Sequence, residues 1–245
     1  MATIKTSKLH LLYTDLPHGV PITSARLAKL GISADLAVHY ERAGWLIRLG
    51  RGVYYKPGET LALHPSLLVL EHKIAGIHVG GKTALQWYGV NQYVSQHTVL
   101  QLYGWVTARV PEWFTTHFPN EYHRKRLFEE TAERMLRVGR FENRNGVPKV
   151  SSPERALLEL LSEVGTRQPL QEAREITETT YNFRADVLTD LLTRCTSVKT
   201  VRLCLQLGTE MSLPWAKKLN AKSLPTGSNR SWVARSKNGL LVLKP

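Results

Sequence analysis

The amino-acid sequence predicts an α+β protein, with an N-terminal winged helix-turn-helix followed by a larger mixed α/β domain whose C-terminal part is helical. Three patterns indicate this fold: two helical segments joined by a glycine turn, strand-forming residues on both sides of Gly50-Arg51-Gly52, and a series of amphipathic segments after Ser151. The expected domains are 1–58 for the winged helix-turn-helix and 59–245 for the larger domain, with a mixed α/β part at 59–150 and a mainly helical part with a basic tail at 151–245.

The first two predicted helices are separated by a short turn. Thr23 or Ser24 can cap the first helix and Ser33 the second, because their side-chain oxygens accept hydrogen bonds from amides of the first helical turn. Gly31 and Gly44 are typical of helix ends. This spacing matches a helix-turn-helix. The side chains expected to face the core are Leu27, Ala28, Leu30, Leu36, Tyr40 and Ala43.

The outward face of the second helix is a candidate DNA-reading surface. With Leu36 and Tyr40 facing inward, the residues left on the other face are Ala34, Asp35, Val38, His39 and Arg42. A recognition helix presents such residues to base edges in the major groove, and its N-terminal amides lie near phosphate. The candidate DNA-binding residues of this helix are therefore Ser33, Asp35, His39 and Arg42.

A β-hairpin is predicted directly after these helices. The segments 45–49 and 53–56 are rich in aromatic and β-branched residues, and Gly50-Arg51-Gly52 supplies a tight turn with a cation at its tip. Such a hairpin is typical of a wing whose cations contact phosphate, and Arg51 could alternatively enter a minor groove. The further candidate DNA-binding residues are Arg48, Arg51 and Lys56. The alternative is a small folded unit with solvated arginines and no nucleic-acid contact.

The segment 76–83 matches the G-x-x-x-x-G-K-[ST] pattern of a phosphate-binding loop. A true phosphate loop follows a buried strand, whereas the preceding segment 65–75 has the periodicity of an amphipathic helix. The nearest candidate for a Mg²⁺-binding aspartate, Val187-Leu188-Thr189-Asp190, is interrupted by threonine. We therefore expect no ATP or GTP binding here. A short helix is expected at 82–89 instead, with buried Ala84, Leu85 and Tyr88.

The remaining elements follow from periodicity and capping signals. A strand is predicted at 98–103, and the aromatic residues and prolines of 106–118 are typical of strands or irregular structure. Ser151 and Glu154 have capping-box spacing, with a proline in the first turn of the helix that follows. The later expected features are a turn at 143–146 and helices at 152–164, 170–180, 185–195 and 198–207.

Charge points to a polyanionic partner. The net charge is +13 and the pI is near 9.9, which favours binding to nucleic acid. The basic surplus lies in 1–58, with eight basic and three acidic residues, in 124–149, with eight and four, and in 214–245, with seven and none. The last segment also contains Trp215 and Trp232, for which a structural role is favoured over stacking on single-stranded RNA.

Several classes of protein are disfavoured by what the sequence lacks. Cys195 and Cys204 have no zinc-ligand spacing and are expected to be buried thiols, so we expect no metal and no cofactor. No compact catalytic arrangement can be identified, which favours a protein that is not an enzyme. There is no apolar run long enough for a membrane span and no secretory leader, so a cytoplasmic location is expected.

The sequence resembles the AbiEi family of antitoxins, which are the regulators of type IV toxin-antitoxin systems. The matching segments are Tyr40-Glu-Arg-Ala-Gly-Trp-Leu-Ile-Arg48, Gly50-Arg-Gly-Val-Tyr-Tyr55, Gly80-Gly-Lys-Thr-Ala-Leu85 and Ser152-Pro-Glu-Arg-Ala-Leu-Leu158. The resemblance implies a winged helix that represses its own operon at repeats in promoter DNA, and a larger domain that counteracts a nucleotidyltransferase-like toxin. It also implies association with the nucleoid when the protein is bound to DNA.

Three alternatives stay open at this stage. The first is a winged-helix transcriptional regulator of an unrelated system. The second is a nucleotide-binding enzyme that uses Gly76 to Thr83 as a phosphate loop, and the third is an RNA-binding protein that uses the basic tail. The operator, the toxin's substrate, the oligomeric state and the role of the tail after Pro214 do not follow from the residues.

Overall fold

The computed structural model describes residues 8–14, 16–90, 99–129, 136–144, 146–228, 230–236 and 239–243. These residues form two compact units. The first unit contains the described residues of Met1–Lys73, Arg109–Pro119 and Asn145–Pro148, and the second contains those of Ile74–Ala108, Asn120–Arg144 and Lys149–Pro245. The α+β class is confirmed, with a smaller N-terminal and a larger C-terminal unit, whereas the domain boundary at residue 58 stays a prediction.

The described helices are, in chain order, α1 (Lys8–Thr14), α2 (Ser24–Lys29), α3 (Ala34–Arg42), α4 (Leu63–Lys73), α5 (Gly81–Trp87), α6 (Glu112–His117), α7 (Pro153–Ser162), α8 (Leu170–Glu178), α9 (Ala185–Thr193) and α10 (Val198–Glu210). The described strands are β1 (Ile22–Thr23), β2 (Ile47–Gly50), β3 (Val53–Tyr55), β4 (His78–Val79), β5 (Leu100–Gly104), β6 (Asn120–Arg124), β7 (Val138–Arg140), β8 (Lys149–Ser151), β9 (Trp232–Ser236) and β10 (Gly239–Leu243).

The first unit has the element order of a winged helix. Strands β1, β3 and β2 form an antiparallel sheet in that order, in which Tyr54 of the central strand is opposite Ile22 on one side and Arg48 on the other. Side chains from α1, α2, α3 and the sheet share one apolar core, which contains Leu12, Leu16, Ile22, Leu27, Ile32, Ala37, Leu46 and Tyr54. This shared core fixes the direction in which α3 and the β2–β3 hairpin present their outer residues.

Helices α2 and α3 begin at two of the predicted caps. The Thr23 side chain accepts a hydrogen bond from the Arg26 amide at 3.3 Å, and the Ser33 side chain accepts one from the Leu36 amide at 3.3 Å. Each cap satisfies an amide that has no partner inside its own helix. The turn between the helices contains Gly31 at a φ of +73°, a conformation that favours glycine.

The inward face of these helices differs in part from the prediction. Leu27 and Ala37 are the buried residues, at 1% and 2% exposure, and Leu36 packs partly buried against the same core. The predicted burial of Ala28 and Ala43 is wrong, because both side chains are exposed. Their small size gives no periodic signal strong enough to separate an inward from an outward position.

Two helices of the first unit escape the sequence analysis. Helix α1 is short, and Leu12 is its one fully buried side chain among the described residues. Helix α6 follows Pro111 and buries Trp113 and Phe114, whereas its aromatic residues suggested strands or irregular structure. Burial of a large aromatic pair against the rest of the unit overrides the weak helix propensity of these residues.

The second unit is built on a five-stranded mixed sheet. Its strand order is β6, β5, β4, β8 and β7; β5 pairs parallel with β6, β4 pairs parallel with β8, and the other two pairs are antiparallel. The predicted strand at 98–103 corresponds to β5, although residue 98 lies outside the described residues. The predicted turn at 143–146 includes residue 145, which also lies outside them.

Helix α7 is the central helix of the second unit. Every residue from Glu154 to Ser162 is buried, and the helix packs against α5, α8, α9 and α10. Its N-cap is Ser152, whose side chain accepts a hydrogen bond from the Arg155 amide. The predicted capping box of Ser151 and Glu154 is not formed, because the Glu154 carboxylate accepts hydrogen bonds from the Arg184 side chain instead.

The C-terminal region contains helices α8 to α10 and then a hairpin of β9 and β10. Helix α10 continues past Gly208, where the Trp215 ring packs so closely that a Cβ atom would lie 2.5 Å from it. Trp215 is 1% exposed, so it is a core residue and cannot stack on RNA. Cys195 and Cys204 are buried free thiols, and burial raises their pKa values to about 11 and about 12.

Candidate nucleic-acid interface

Helix α3 exposes the face that the sequence analysis selects. Asp35, His39 and Arg42 are all exposed and follow one another at intervals of four and three residues, which places them on one side of the helix. The opposite side carries Ala37 in the core. Ser33 is exposed at the N-terminus of α3, where its side-chain oxygen accepts a hydrogen bond from the Leu36 amide. At this end of the helix, the groups that can still donate hydrogen bonds to DNA are the Ser33 O–H and the backbone amides.

The β2–β3 hairpin presents the two arginines that the sequence predicts there. Arg51 is exposed at the tip, and Gly52 next to it has a φ of +68°. The Gly52 carbonyl accepts a hydrogen bond from the Ser24 amide at 2.9 Å, which ties the tip to the start of α2. Arg48 is 47% exposed and lies 4.0 Å from the Glu41 carboxylate on α3. The hairpin and α3 therefore present their cations from one connected framework.

Lys56 is a correction to the predicted set. Its side chain is 1% exposed, and its ammonium donates to the Leu16 carbonyl and contacts the Glu59 carboxylate, each at 2.9 Å. The same ammonium lies 5.7 Å from the centre of the Tyr13 ring. A cation held in this way is unavailable to DNA, so Lys56 has a structural role at the base of the hairpin.

The hairpin also packs against a segment from the middle of the chain. Trp113 of α6 lies next to Gly50, where a Cβ atom would be 3.3 Å from the indole. Trp113 is 7% exposed. The sequence analysis missed this contact, because no local pattern connects residues so far apart in the chain. The contact positions the strand that carries Arg48.

Exposed aromatic residues border α3, and the sequence analysis missed them as well. Trp45 is 47% exposed and makes an edge-to-face contact with Tyr13, whose hydroxyl donates to the Trp45 carbonyl at 3.0 Å. Ile47 beside it is 39% exposed. The exposed side chains at the end of α3 therefore combine apolar and aromatic surface with the cations.

The phosphate-loop pattern at 76–83 has a different structure from a nucleotide-binding loop. As expected, a helix precedes it, namely α4, and the two-residue strand β4 lies inside the pattern. The Gly81 amide donates to the Glu159 carboxylate at 3.1 Å, and the Lys82 amide donates to the Gln101 side chain at 2.7 Å. The Lys82 ammonium pairs with Glu172. The two amides and the ammonium that would bind phosphate in a nucleotide-binding loop are therefore already paired with acceptors of the protein itself.

The Glu159 carboxylate is the centre of this arrangement. It also accepts from Ser151 Oγ at 2.8 Å and Arg155 Nε at 2.7 Å, and His78 Nε2 lies 2.9 Å from it. Although burial alone would raise its pKa, Arg155 and His78 lower the pKa to about 2. A Cβ atom at Gly80 would overlap this carboxylate, so glycine is needed for the close approach of the two groups.

The short helix after this loop agrees with the prediction at two positions and differs at a third. Ala84 and Leu85 of α5 are fully buried, as predicted. Tyr88 is 37% exposed and contacts Phe141 edge-on, so its predicted burial is wrong. Tyr88 follows the last residue of α5, where the helical period no longer fixes the direction of the side chain.

A polar cavity of about 230 Å³ lies beside Lys82 in the second unit. It is lined by Gln101, Tyr103, His123 and Arg167, among others. The Tyr103 hydroxyl and His123 Nε2 have no hydrogen-bond partner among the described residues. Burial raises the Tyr103 pKa well above its ordinary value, so this phenol stays protonated at neutral pH.

Within the described parts of the chain, no helix is long and apolar enough to cross a membrane. A search of the same residues finds no group of three or more His, Cys, Asp and Glu side chains that could hold a metal ion.

The loop at 76–83 is expected not to bind ATP or GTP at micromolar concentration. The amides and the lysine of the loop are already paired with Glu159, Gln101 and Glu172, and a nucleotide phosphate would have to displace a buried carboxylate. Isothermal titration calorimetry with either nucleotide and Mg²⁺ tests this expectation, with Lys82→Ala as the comparison. Micromolar binding that disappears in Lys82→Ala would contradict it.

Comparison with known proteins identifies the family. A family model described as the AbiEi antitoxin N-terminal domain of a transcriptional regulator matches residues 5–96. A second model, described as a transcriptional regulator and AbiEi antitoxin of a type IV toxin-antitoxin system, matches residues 97–244.

A similar fold occurs in a solved structure. The crystal structure of the RV2827C protein from Mycobacterium tuberculosis is similar with a TM-score of 0.58 and 16% identity, over 93% of this chain and 87% of that one. This likeness concerns the fold alone. A search of curated proteins finds no match. The family models together extend over almost the whole sequence, and the chain therefore belongs to the AbiEi family of antitoxin transcriptional regulators of type IV toxin-antitoxin systems.

Proposed function

We propose that this protein counteracts a nucleotidyltransferase-like toxin and represses its own operon by binding repeats in promoter DNA through the winged helix. Family membership supports the pairing of an antitoxin with a regulator. This function requires no cofactor and no catalysis by the chain itself. It places the protein in the cytoplasm, and at the nucleoid when it is bound to its operator.

One observation carries the proposed DNA contact: α3 exposes Asp35, His39 and Arg42 on a single face, and the hairpin beside it exposes Arg48 and Arg51. In our proposal α3 enters the major groove, where Arg42 and His39 reach base edges. The N-terminus of α3 at Ser33 faces phosphate. Arg48 and Arg51 contact the backbone, with the minor groove as the alternative for Arg51.

Arg42 and Arg48 are expected to affect DNA binding in different ways. Arg42→Ala is expected to change which operator sequence is preferred, because a bidentate base contact is worth about 1–3 kcal/mol of discrimination. Arg48→Ala is expected to weaken binding to all duplexes alike and to lower the salt slope by about 1, since one phosphate contact is lost. Fluorescence anisotropy with operator and scrambled duplexes at several salt concentrations measures both effects.

Lys73→Ala is a suitable control for both variants. Lys73 is exposed at the end of α4, so its removal changes the net charge equally without touching α3 or the hairpin. It is expected to leave operator preference unchanged. An unchanged preference in Arg42→Ala would mean that α3 presents a different face to DNA.

We also propose that repression depends on residues 1–58 and neutralisation of the toxin on 59–245. The full-chain variant Arg51→Ala is expected to derepress the promoter while it still protects cells from the toxin, because Arg51 is an exposed residue of the first unit. A promoter-reporter assay and growth during co-expression of the toxin measure the two activities. Loss of both activities in soluble, folded Arg51→Ala would argue against this division of labour.

The full chain is the appropriate material for this test. A fragment that ends at residue 58 lacks Glu59, whose carboxylate pairs with the buried ammonium of Lys56. It also lacks Trp113, which packs against Gly50. The failure of such a fragment to bind DNA would therefore reflect misfolding as readily as a missing DNA contact.

A further inference from the structure

The second unit contains a basic cavity of about 410 Å³ that the proposed functions do not use. Its lining residues come from three parts of the chain, the segment after β6, the end of α7 at Ser162, and the junction of α9 with α10. Three of them are cations, Lys125, Arg126 and Lys199, and the described lining residues include no carboxylate. Of the three hydroxyl groups in the lining, Ser162 already donates to the Glu159 carbonyl and Thr196 to the carbonyls of Arg126 and Leu127. The Ser197 hydroxyl accepts hydrogen bonds from Thr200, and its own proton can be donated to a ligand.

The cations of this basic cavity are held in defined positions. The Lys199 ammonium donates hydrogen bonds to the carbonyls of Ser162 and Val164 at 2.6 and 2.9 Å. These two bonds use two of its three protons, and the third can be donated to a ligand. The Arg126 guanidinium lies over the Trp105 ring, 5.8 Å from its centre. Lys125 lies 3.1 Å from the Glu163 carboxylate.

Hydrogen bonds join the segment after β6 to the junction of α9 with α10. The Thr196 amide donates to the Leu127 carbonyl at 2.9 Å, and the Thr196 hydroxyl lies within 3.1 to 3.2 Å of the carbonyls of Arg126 and Leu127. Phe128 and Cys195 form a β-bridge directly beside these contacts. The cavity is therefore part of the fold, and its shape does not depend on long surface side chains alone.

Charge balance indicates what the cavity binds. Lys125 is neutralised by Glu163, whereas Arg126 and Lys199 have no carboxylate partner within the described part of the chain. Among the described residues, these two cations therefore have no direct ion pair. Burial and, after it, the nearby Lys125 ammonium lower the pKa of Lys199, whereas the Glu163 carboxylate opposes this shift; a bound anion would relieve the repulsion between the two ammonium groups. The N-terminal end of the 13-residue helix α10 adds partial positive charge at Val198 and Lys199.

We propose that this basic cavity binds a dianionic phosphate group, either inorganic phosphate or the terminal phosphate of a small phosphate monoester. Arg126 and Lys199 match the two charges of such a group, and the Ser197 hydroxyl can donate to one of its remaining oxygens. A phosphodiester carries one charge and leaves one cation unpaired. The site thus distinguishes a small phosphorylated ligand from the backbone of a nucleic acid.

The test measures binding of inorganic phosphate, methyl phosphate and dimethyl phosphate to the full chain by calorimetry, in chloride buffer of constant ionic strength. The first two are expected to bind, and dimethyl phosphate is expected to bind at least about tenfold more weakly, because one charge-assisted contact is missing. Binding of methyl phosphate but not of inorganic phosphate would assign the site to esters and still support it. Equal binding of all three probes, or no binding of the two dianions, would overturn the proposal.

Arg126→Ala locates the binding, since Arg126 is exposed and its removal leaves the hydrogen bonds of the fold in place. It is expected to weaken binding of methyl phosphate by about tenfold. Arg124→Ala removes a neighbouring exposed cation that does not line the cavity and is expected to have no effect. Equal weakening in the two variants would mean that general surface charge binds the anion, which contradicts a defined site. Lys199→Gln, checked for folding by circular dichroism, is expected to act like Arg126→Ala.

Discussion

Replacing Glu159 with alanine is expected to lower the free energy of unfolding by about 3–5 kcal/mol, the usual cost of breaking a buried ion pair from one side. The carboxylate is 2% exposed and holds the Arg155 guanidinium, which is 3% exposed. It also accepts the Gly81 amide and the Ser151 hydroxyl, so several buried donors lose their acceptor together. Urea denaturation followed by circular dichroism measures the loss.

Glu172→Ala is the matched control for this variant. Glu172 pairs with Lys82 in the same region, but the two side chains are 37% and 28% exposed, so the expected loss is below about 1 kcal/mol. Similar losses in the two variants would contradict a special role for Glu159. If Glu159→Ala fails to fold, Glu159→Gln keeps the shape and one acceptor oxygen and is expected to show a smaller loss.

Glu159 is also expected to make the stability of the unmodified protein depend on pH. Because the folded-state pKa is about 2 and the ordinary value is 4.5, the charged carboxylate stabilises the fold fully above pH 4.5 and loses this effect as the pH falls towards 2. Glu159→Gln is therefore expected to show a shallower loss of stability across this range. Part of the pH dependence of stability is expected to persist in Glu159→Gln, because the pKa of Glu163 is also lowered to about 2.

Replacing Glu59 with alanine is expected to destabilise the first unit by about 3 kcal/mol or more. The substitution leaves the Lys56 ammonium, at 1% exposure, with the Leu16 carbonyl as its remaining acceptor among the described residues. Glu59 also accepts the Gly19 amide at 2.8 Å. The lysine lies at the base of the hairpin, so operator binding is expected to fall together with stability. Thermal unfolding and anisotropy with operator DNA measure the two effects.

The exposed His18 supplies the control for this prediction. His18 lies 2.8 Å from the same carboxylate but is 92% exposed, and His18→Ala is expected to change stability little. Lys56→Met combined with Glu59→Gln removes the buried charge along with its partner, and it is expected to be more stable than Glu59→Ala alone. A double variant less stable than either single variant would contradict the assigned pairing.

Local signals in the sequence determined the parts of the fold that depend on near neighbours. Ser33 caps α3 and Gly31 ends the preceding turn, because a cap and a left-handed glycine involve bonds within a few residues. The exposed face with Asp35, His39 and Arg42 followed from the helical period alone. The rejection of a nucleotide loop followed similarly from the helical pattern before Gly76, and the family followed from short matching segments.

Sequence reasoning could not separate the cations of the hairpin from one another. Arg51 and Lys56 are both cations at neutral pH and both lie beside strand-forming residues, yet Arg51 is exposed and Lys56 is buried. The difference depends on Leu16, 40 residues earlier in the chain, and on Glu59. The role of α6 escaped prediction for the same reason, since Trp113 packs against Gly50.

Only the tertiary structure decided what fills the loop at Gly80 and Gly81. The sequence supplies the glycines and a lysine of a phosphate site, but it does not show that Glu159, 78 residues after Gly81, accepts the Gly81 amide. Capping and periodicity reflect interactions between near neighbours, which a sequence displays directly. The choice of a partner for a buried charge depends on which distant groups packing brings together, because desolvation makes any unpaired alternative costly.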